Sequence, residues 1–439
     1  FIMKQRLADY IADFFAVNDI IDIFTVTGGG AMHLNDAFGH HPQLHCTYNH
    51  HEQACAIAAE GYARYSGNIA AVCVTTGPGG TNAITGVLGG WLDSIPMFIV
   101  SGQVKFSTTI KATHIPLRQL GDQEFNIVDC VKTMTKYAEM VVNPYDIAYV
   151  LEKGLYLATH GRPGPVWLDI PLNVQGAIIE TDNLRHYDPS EDSREIPSDP
   201  TEAQLQEILA KIQHSRRPVI YVGEGIRLSG AYASFLQLID KLHIPVVTSW
   251  NAHDLLWDDH PLYCGRPGTV GTRGGNFVAQ YADLLLILGC RLNIRQISYN
   301  WENFAPAAYK IMVDIDPAEL LKPTLKIDMP ICADLHVFMK LLEQQITEKN
   351  MKHAQWLNWC RNINAKYPVC EPSYYNVETP LNPYVFVEFL FKELEGDEAI
   401  ITGNGSACVC SFQGAYLQKG QRFFTNSGCA SMGYGLPAA

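Results

Sequence analysis

The strongest chemical signal in this sequence is a carboxylate followed by a glycine-rich turn, within residues 49–82 (NHHEQACAIAAEGYARYSGNIAAVCVTTGPGGTN). Glu52 opens a segment whose small residues recur near helical spacing, which predicts a helix packed closely on its neighbours. Residues 69–74 form a short, almost wholly apolar run that is typical of a buried parallel strand. In the turn at 75–82, glycines let the backbone approach a ligand, and Thr81-Asn82 can cap the next helix.

Plainer interpretations of the same residues stay open. Glu52 can be an acidic residue at the start of a surface helix, where the helix dipole favours it. The turn can be tight without binding anything. The nearby histidines, which include His50 and His51, favour a surface turn and a helix start over a metal site.

A second turn has the same character. Residues 20–26 read as a strand, Gly28-Gly29-Gly30 follows, and residues 31–38 read as a helix. In an open α/β sheet, ligands bind beyond the carboxyl ends of the strands, and free N–H groups at a helix start can hold a polar group. The sequence therefore predicts a second ligand-binding turn, although a merely tight turn explains it equally well.

The alternation of strands and helices predicts an α/β fold with three doubly wound parallel-sheet domains. We expect an N-terminal domain at 1–178 and a central domain at 201–342. A charged, proline-containing linker at 179–200 separates these two, and a second linker covers 343–382. Residues 383–439 read as the start of a third domain that is not completed.

Composition narrows the function further. The chain has 439 residues and a formal net charge of −13, which argues against a nucleic-acid partner because phosphates need a basic face. No apolar stretch is long enough to cross a bilayer, so no membrane partner is expected. The 12 cysteines include no Cys-x-x-Cys pair, and we interpret them as reduced thiols of a cytoplasmic protein.

Together these motifs resemble the thiamine-diphosphate-dependent enzymes of the acetolactate synthase group, over nearly the whole chain. In that family a glutamate in a dry site contacts the aminopyrimidine of the cofactor, and the resemblance gives this role to Glu52. It also places Gly29 and Gly30 over the thiazolium ring and Gln123 near the cofactor and substrate. Lys136 matches a lysine near the substrate channel, with a solvated surface lysine as the alternative.

The remaining cofactor contacts are also implied by the resemblance. Met432 matches the bulky residue that props the cofactor into its bent shape. The other residues expected to contact thiamine diphosphate are Gly28, Pro78, Asn82, Gly403, Asn404, Gly405, Ser406 and Gly428.

The central domain resembles the flavin-binding type, and Arg295 matches an arginine that recognises the substrate carboxylate. Two family positions differ here, where Leu172 replaces a lysine and Val270 replaces a histidine. FAD binding and a domain that keeps the fold without the flavin therefore both stay open. The residues that fall at flavin-contact positions are Arg162, Gly223, Gly225, Ser249, Gly268, Gly271, Arg291, Asp314 and Asp334.

The position before Gln123 carries a substrate-contacting phenylalanine in the synthases, whereas this chain has Asp122. The loop at 105–119 also departs from the synthase pattern. The resemblance implies decarboxylation of a 2-keto acid such as pyruvate, followed by transfer of the two-carbon unit to a carbonyl acceptor. The acceptor can be a second pyruvate or a keto sugar of surface-polysaccharide synthesis. Simple decarboxylation, C–C hydrolysis and a catalytically dead homologue are the alternatives.

The family anchors Mg²⁺ through a Gly-Asp-Gly motif and a downstream asparagine, and the sequence ends at Ala439 before both. We therefore expect no metal ligand within these residues. Either the chain is incomplete or the third domain is disordered beyond that point. The resemblance also implies a homodimer or homotetramer with active sites between subunits.

Overall fold

A computed structural model of the chain describes residues 3–195, 197–376 and 379–439. Two compact units are present: Phe1–Glu195 with Asn426–Ala439, and Ile196–Thr425. The α/β class with parallel sheets is confirmed, whereas the domain boundaries stay predictions. Along the described residues, no helix combines the length and the apolar character needed to cross a membrane.

The first unit is built on a six-stranded parallel sheet in the order β3-β2-β4-β5-β7-β6, beside a small antiparallel pair of β1 and β8. Every residue of β4, β5 and β7 is buried, which explains their nearly continuous apolar sequences. The strands are β1 (Lys4–Arg6), β2 (Asp22–Thr25), β3 (His45–Tyr48), β4 (Ala70–Val74), β5 (Met97–Gln103), β6 (Tyr137–Met140), β7 (Pro165–Pro171) and β8 (Ile178–Glu180).

Small residues let the helices of this unit approach one another. A Cβ atom added to Gly86 would lie 2.5 Å from Ala56 Cβ, so α3 and α4 can touch only because that position is glycine. The helices are α1 (Leu7–Val17), α2 (Met32–His40), α3 (Glu52–Ser66), α4 (Pro78–Asp93), α5 (Ile110–Thr113), α6 (Ile127–Val131), α7 (Ile147–Thr159) and α8 (Leu172–Gln175).

Helix α4 begins earlier than the sequence suggested. Thr81 and Asn82 lie inside the helix rather than at its cap, because Pro78 occupies the first helical position and Gly77 is the N-cap with a φ of 63°. Proline is well suited to that first position, where its missing N–H is not needed. The glycine-rich turn is therefore also the first turn of a helix.

The second unit contains a five-stranded parallel sheet in the order β10-β9-β11-β12-β13. Its strands are β9 (Pro218–Val222), β10 (Val246–Thr248), β11 (Leu284–Leu288), β12 (Tyr309–Asp314) and β13 (Met329–Cys332). Its helices are α9 (Glu202–His214), α10 (Gly225–Leu228), α11 (Tyr232–Leu242), α12 (Arg273–Tyr281), α13 (Ile294–Ile297), α14 (Pro317–Leu321), α15 (Leu335–Gln344) and α16 (Ala354–Lys366).

The same unit continues with a short parallel pair of strands and two helices. Cys408 and Cys410 lie on the second of these helices. These elements are α17 (Pro383–Glu393), β14 (Ala399–Ile401), α18 (Ser406–Gly414) and β15 (Arg422–Phe424), and a last helix, α19 (Gly435–Ala438), returns to the first unit.

A buried polar network joins strands β5 and β7 of the first sheet to the loop that follows β5. Asp169 on β7 is fully buried and accepts hydrogen bonds from Ser101 Oγ at 2.6 Å and Gln103 Nε2 at 3.1 Å. Gln103 Nε2 also donates to the Phe125 carbonyl at 2.9 Å. Burial raises the pKa of the Asp169 carboxyl to about 7, and the two hydrogen bonds offset part of that rise.

This raised pKa predicts a pH dependence of stability. Folded Asp169 holds its proton more tightly than the unfolded chain, whose carboxyl has the ordinary pKa of 3.8. The free energy of unfolding is therefore highest below pH 3.8. It falls by an amount on the order of a few kcal/mol as the pH rises from there to about 7. In Asp169→Asn, whose amide resembles the protonated acid, we expect this loss to disappear from urea-unfolding midpoints measured between pH 4 and 8. Exposed Asp199→Asn is the control, and equal pH slopes in wild type and Asp169→Asn would contradict the prediction.

Candidate functional site

Glu52 occupies the first position of α3 and is 9 % exposed. Its Oε2 atom accepts a hydrogen bond from Asn82 Nδ2 at 2.9 Å, which places the carboxylate against the first turn of α4. His51 caps α3 by accepting the Gln53 N–H on its Nδ1 at 3.1 Å. The helix start is therefore satisfied by a histidine, and the Glu52 carboxylate is not used as a cap.

The loop at 28–30 is clamped against the carboxyl ends of neighbouring strands. The Gly30 N–H donates to Thr75 Oγ1 at 3.1 Å, and its carbonyl accepts from Gln175 Nε2 at 2.7 Å. A Cβ atom on Gly102 of β5 would lie 2.1 Å from that carbonyl oxygen. By contrast, a Cβ atom on Gly29 would meet nothing within 4 Å, so Gly29 is the open part of the loop.

Gln123 lies beside the start of α4. It adopts a φ of 63°, and its carbonyl oxygen would be 2.3 Å from a Cβ atom on Gly77. Asp122 and Gln123 are both exposed. Gly79, two residues further into α4, would place a Cβ atom 3.7 Å from Glu52 Oε1. The structure therefore brings Gln123 and Glu52 to the same helix end.

These residues share the carboxyl edge of the first sheet, where ligands of α/β proteins bind. Gly28 and Pro78 belong to the same edge, because they follow β2 and β4. The open position at Gly29 and the buried carboxylate of Glu52, whose hydrogen-bond partner is a neutral amide, fit a ring that presents a polar N–H or protonated nitrogen. The chain thus has a hydrogen-bond acceptor and open space that fit the aminopyrimidine end of thiamine diphosphate.

Lys136 and Arg162 lie at the opposite edge of this sheet. The Lys136 N–H donates to the Pro165 carbonyl, level with the first residue of β7, and Lys136 Nζ donates to the His160 carbonyl at 2.7 Å. Arg162 Nε donates to Ser94 Oγ at 2.8 Å. Within one chain, neither residue is brought to Glu52, and their expected roles stay predictions.

The C-terminal segment of the first unit is held on α3 by a buried ionic network. Arg64 Nε donates to Glu60 Oε1 and its Nη2 contacts Asp93 Oδ2, both at 2.6 Å. Tyr434 Oη donates to Glu60 Oε2 at 2.5 Å, and the Gly428 N–H donates to Asp93 Oδ1 at 3.1 Å. Gly428 is thus fixed by the protein itself through its backbone.

Met432 lies in the same segment, and its side chain is 87 % exposed. The predicted contact of Met432 with the cofactor is not tested by the described residues and stays a prediction.

In the second unit, the turn of Gly403, Asn404, Gly405 and Ser406 follows β14 and leads directly into α18. Gly405 has a φ of 98°, and a Cβ atom there would meet nothing within 4 Å. The turn therefore combines an open backbone with a helix N-terminus, which is a favourable place for phosphate oxygens.

Arg295 lies near this turn. Its guanidinium is 4.9 Å from the ring centre of Trp250, and that ring stacks on Phe412 of α18 with centres 4.6 Å apart. Burial raises the pKa of the Cys408 thiol, and the hydroxyl of Thr402 and the charge of Arg295 offset part of the rise. The Arg295 guanidinium thus lies close to α18, and its expected contact with a substrate carboxylate stays a prediction.

At the glycines predicted to contact a flavin in the second unit, the protein's own backbone fills the space beside the Cα atom or fixes an unusual φ angle. A Cβ atom on Gly223 would lie 2.2 Å from the Gly289 carbonyl oxygen, and one on Gly225 would lie 2.7 Å from Gly289 Cα. A Cβ atom on Gly271 would be 2.2 Å from the Arg266 carbonyl oxygen, and Gly268 has a φ of 142°. Each glycine is needed whether or not a flavin binds.

The polar flavin candidates of the second unit lie at the carboxyl edge of its five-stranded sheet, whereas Arg162 belongs to the first unit. Asp334 caps α15 by accepting the N–H groups of His336 and Val337, and Asp314 accepts the Asp316 N–H at 3.0 Å. Ser249 directly follows β10, and Arg291 follows β11. The two aspartates thus have structural roles that need no flavin, and FAD binding stays a prediction.

Two residues that hold the candidate site had no recognisable sequence signal. Gln175 donates to the carbonyls of Gly30 and Ile170, each at 2.7 Å, and thereby fixes the glycine loop. Glu124 accepts backbone N–H groups from the preceding loop. Single polar residues after a strand or in a polar loop look alike in sequence, because their partners are backbone groups far along the chain.

A matched pair of glycine substitutions tests this packing. Gly102→Ala places a methyl group against the Gly30 backbone, and we expect a loss of about 1–3 kcal/mol in the free energy of unfolding. Gly29→Ala enters open space and should change stability by less than about 0.5 kcal/mol. Urea titration of both variants measures the difference, and equal stabilities would show that the loop is not clamped as described.

Comparison with known proteins gives two family matches. The N-terminal TPP binding domain of thiamine pyrophosphate enzymes matches residues 5–125, and the central domain of the same enzymes matches residues 205–342. The acetolactate synthase large subunit of Lactococcus lactis subsp. lactis is 31 % identical over 422 residues, which cover 95 % of this chain and 70 % of the relative.

Two further relatives have similar names. Acetolactate synthase 1, chloroplastic, of Oryza sativa subsp. japonica is 31 % identical over 447 residues, covering 99 % of this chain and 66 % of the relative. The acetolactate synthase large subunit of Corynebacterium glutamicum is 31 % identical over 428 residues, covering 95 % of this chain and 65 % of the relative. The chain therefore spans about two thirds of the length of the curated relatives it matches.

Proposed function

Because the chain belongs to the thiamine pyrophosphate enzyme family, among relatives of the acetolactate synthase type, we propose that it is a carboligase dependent on thiamine diphosphate. The proposed reaction decarboxylates a 2-keto acid, with pyruvate as the donor, and transfers the two-carbon unit to a carbonyl acceptor. The observation that carries this proposal is the buried Glu52 carboxylate beside the open Gly29 position.

When bound, thiamine diphosphate supplies the nucleophilic carbon for the keto group. The proposed work of the chain is to bind and orient it. Glu52 would hold a proton between its carboxylate and the aminopyrimidine, and Asn82 fixes the orientation of that carboxylate. The clamped loop at 28–30 would cover the reacting side and exclude water.

The turn at 403–406 is the proposed contact for the diphosphate, supported by its open backbone and the start of α18. Mg²⁺ is proposed as the counterion of that diphosphate. Arg295, held over Trp250, is the proposed partner of the donor carboxylate. FAD in the central domain remains part of the proposal without a supporting contact.

The oligomeric state and the cellular location of the protein are also proposals. We propose a homodimer or homotetramer with active sites between subunits, in which Glu52 would reach a cofactor held by the third domain of another copy. The cysteines of the described chain are all free thiols, which agrees with a cytoplasmic location.

Product analysis separates the alternatives. Incubation with pyruvate, thiamine diphosphate and Mg²⁺ should give carbon dioxide and a ligation product. Acetolactate from pyruvate alone would identify pyruvate as the acceptor, whereas acetaldehyde alone would identify a decarboxylase. A keto-sugar acceptor is favoured by the exposed Asp122 at a position where the synthases carry phenylalanine. Calorimetric titration without cofactor binding or turnover would favour a catalytically dead homologue.

Removal of the Glu52 charge provides the sharpest test of its role. We expect Glu52→Gln to lower the rate of pyruvate decarboxylation by about 10²–10⁴-fold, because an amide cannot exchange the proton. The matched control is Glu202→Gln, which changes an exposed acid at the first position of α9 and should leave the rate unchanged. Near-wild-type turnover of Glu52→Gln would remove this residue from the mechanism.

A further inference from the structure

The loop at 105–121 is a basic segment of the chain. It carries Lys105, Lys111, His114 and Arg118 but no Asp or Glu, in a chain whose net charge is −13. All four side chains are exposed. A concentration of positive charge on an otherwise acidic protein attracts anionic ligands and raises their local concentration.

The loop is not a loose surface segment, because Glu124 ties its interior at Ile110 to its C-terminal end. The Glu124 side chain is buried, and its carboxylate accepts the Ile110 N–H at 2.5 Å on Oε1. Its Oε2 accepts the N–H groups of Leu120 at 2.8 Å and Gly121 at 3.1 Å. Bonds from backbone N–H groups to a charged carboxylate are among the stronger hydrogen bonds in proteins.

Further contacts seat the loop on the carboxyl edge of the first sheet. The Phe106 N–H donates to Asn173 Oδ1 at 2.8 Å, and Gln119 Nε2 donates to the Glu124 carbonyl at 3.1 Å. The charge of Lys111 acts on the buried Asp169 and offsets part of the effect of burial on its pKa. The cationic loop therefore lies folded over the sheet rather than away from it.

The anchor of the loop also borders the candidate site. Gln123 immediately precedes Glu124, and its carbonyl would lie 2.3 Å from a Cβ atom on Gly77 at the start of α4. Glu52 contacts the first turns of the same helix through Asn82. A molecule held at Glu52 and Gln123 would thus have the cationic loop as its neighbour on the Gln123 side.

We propose that Glu124 is a positioning residue that fixes the loop at 105–121 as an acceptor-binding wall, and that Lys105, Lys111 and Arg118 select a phosphate-bearing carbonyl acceptor. This inference rests on the proposed function. Pyruvate loses carbon dioxide, and the former keto carbon of the remaining two-carbon unit forms a new C–C bond to the acceptor carbonyl carbon. The acceptor oxygen takes up one proton. Pyruvate as acceptor carries a single negative charge, whereas a phosphate monoester carries close to two and offers oxygens for lysine and arginine donors.

The first experiment compares dihydroxyacetone phosphate with uncharged dihydroxyacetone, using calorimetric binding to the full chain and the acceptor KM with pyruvate as donor. The phosphate ester should bind at least about tenfold tighter, and added salt should weaken it. The double variant Lys111→Gln/Arg118→Gln should lose most of this preference. The control is Lys392→Gln, an exposed lysine that pairs with Glu388 on α17 and should have no effect.

The second experiment tests the anchor. Glu124→Gln replaces one acceptor oxygen by an NH₂ group that opposes a backbone N–H, so we expect the acceptor KM to rise about tenfold or more. The rise in the acceptor KM should exceed any fall in the rate of carbon dioxide release from pyruvate, because the loop is proposed to contact the acceptor. If that variant fails to fold, Asn173→Ala, which removes only the Phe106 contact, should shift the acceptor KM in the same direction.

The outcomes are separable. Equal binding of the two acceptors, an unchanged preference in the double variant, or equal loss of carbon dioxide release and ligation in Glu124→Gln would each overturn the inference. A wild-type protein that neither binds thiamine diphosphate nor releases carbon dioxide would overturn the proposed function. In that case the calorimetric preference for the phosphate ester and its loss in the double variant still decide whether the loop binds phosphate.

Discussion

The candidate site depends on a close approach of backbones at the carboxyl edge of the first sheet. The carbonyl of Gly30 rests against Gly102 at a distance that no side chain at either position would allow. Gln175 and Thr75 then hold the loop at 28–30 in that place with hydrogen bonds from a helix and a strand end. Because protein interiors transmit strain instead of absorbing it, a shift of this loop would move every group that faces it.

A close approach of backbones also determines the position of the Glu52 carboxylate. Helices α3 and α4 can touch because Gly86 faces Ala56, and this contact brings the first residue of α3 to the first turns of α4. Burial of Glu52 beside the neutral amide of Asn82 is unfavourable for stability on its own, since a carboxylate loses water without gaining a cation there. Local arrangements that oppose stability tend to mark functional positions, and this one lies where ligands of α/β proteins bind.

The sequence predicted the elements better than their contacts. Buried strands were readable because their apolar runs are continuous, and Glu52 was readable as a helix start. The early beginning of α4 was missed because Pro78 was taken as part of a turn, although proline suits the first position of a helix. Lys136 was expected near the substrate channel because it matches a family lysine. It precedes β6, and parallel strands place residues before and after a strand at opposite edges of the sheet, so it lies away from Glu52 within one chain while its role stays a prediction. The edge of the sheet at which a residue lies depends on how distant strands pair, and a single sequence does not show that pairing.

Glu52 and Glu124 show why residue type alone does not identify a functional acid. Both are buried carboxylates at one edge of one sheet. Glu124 receives three backbone N–H groups, so most of its acceptor capacity holds the loop. Glu52 receives one amide N–H within the described chain and keeps acceptor positions for another molecule, because an ionised carboxylate offers about four lone-pair sites. The difference lies in the number of donors that the fold supplies, and it favours a structural task for Glu124 and a ligand for Glu52.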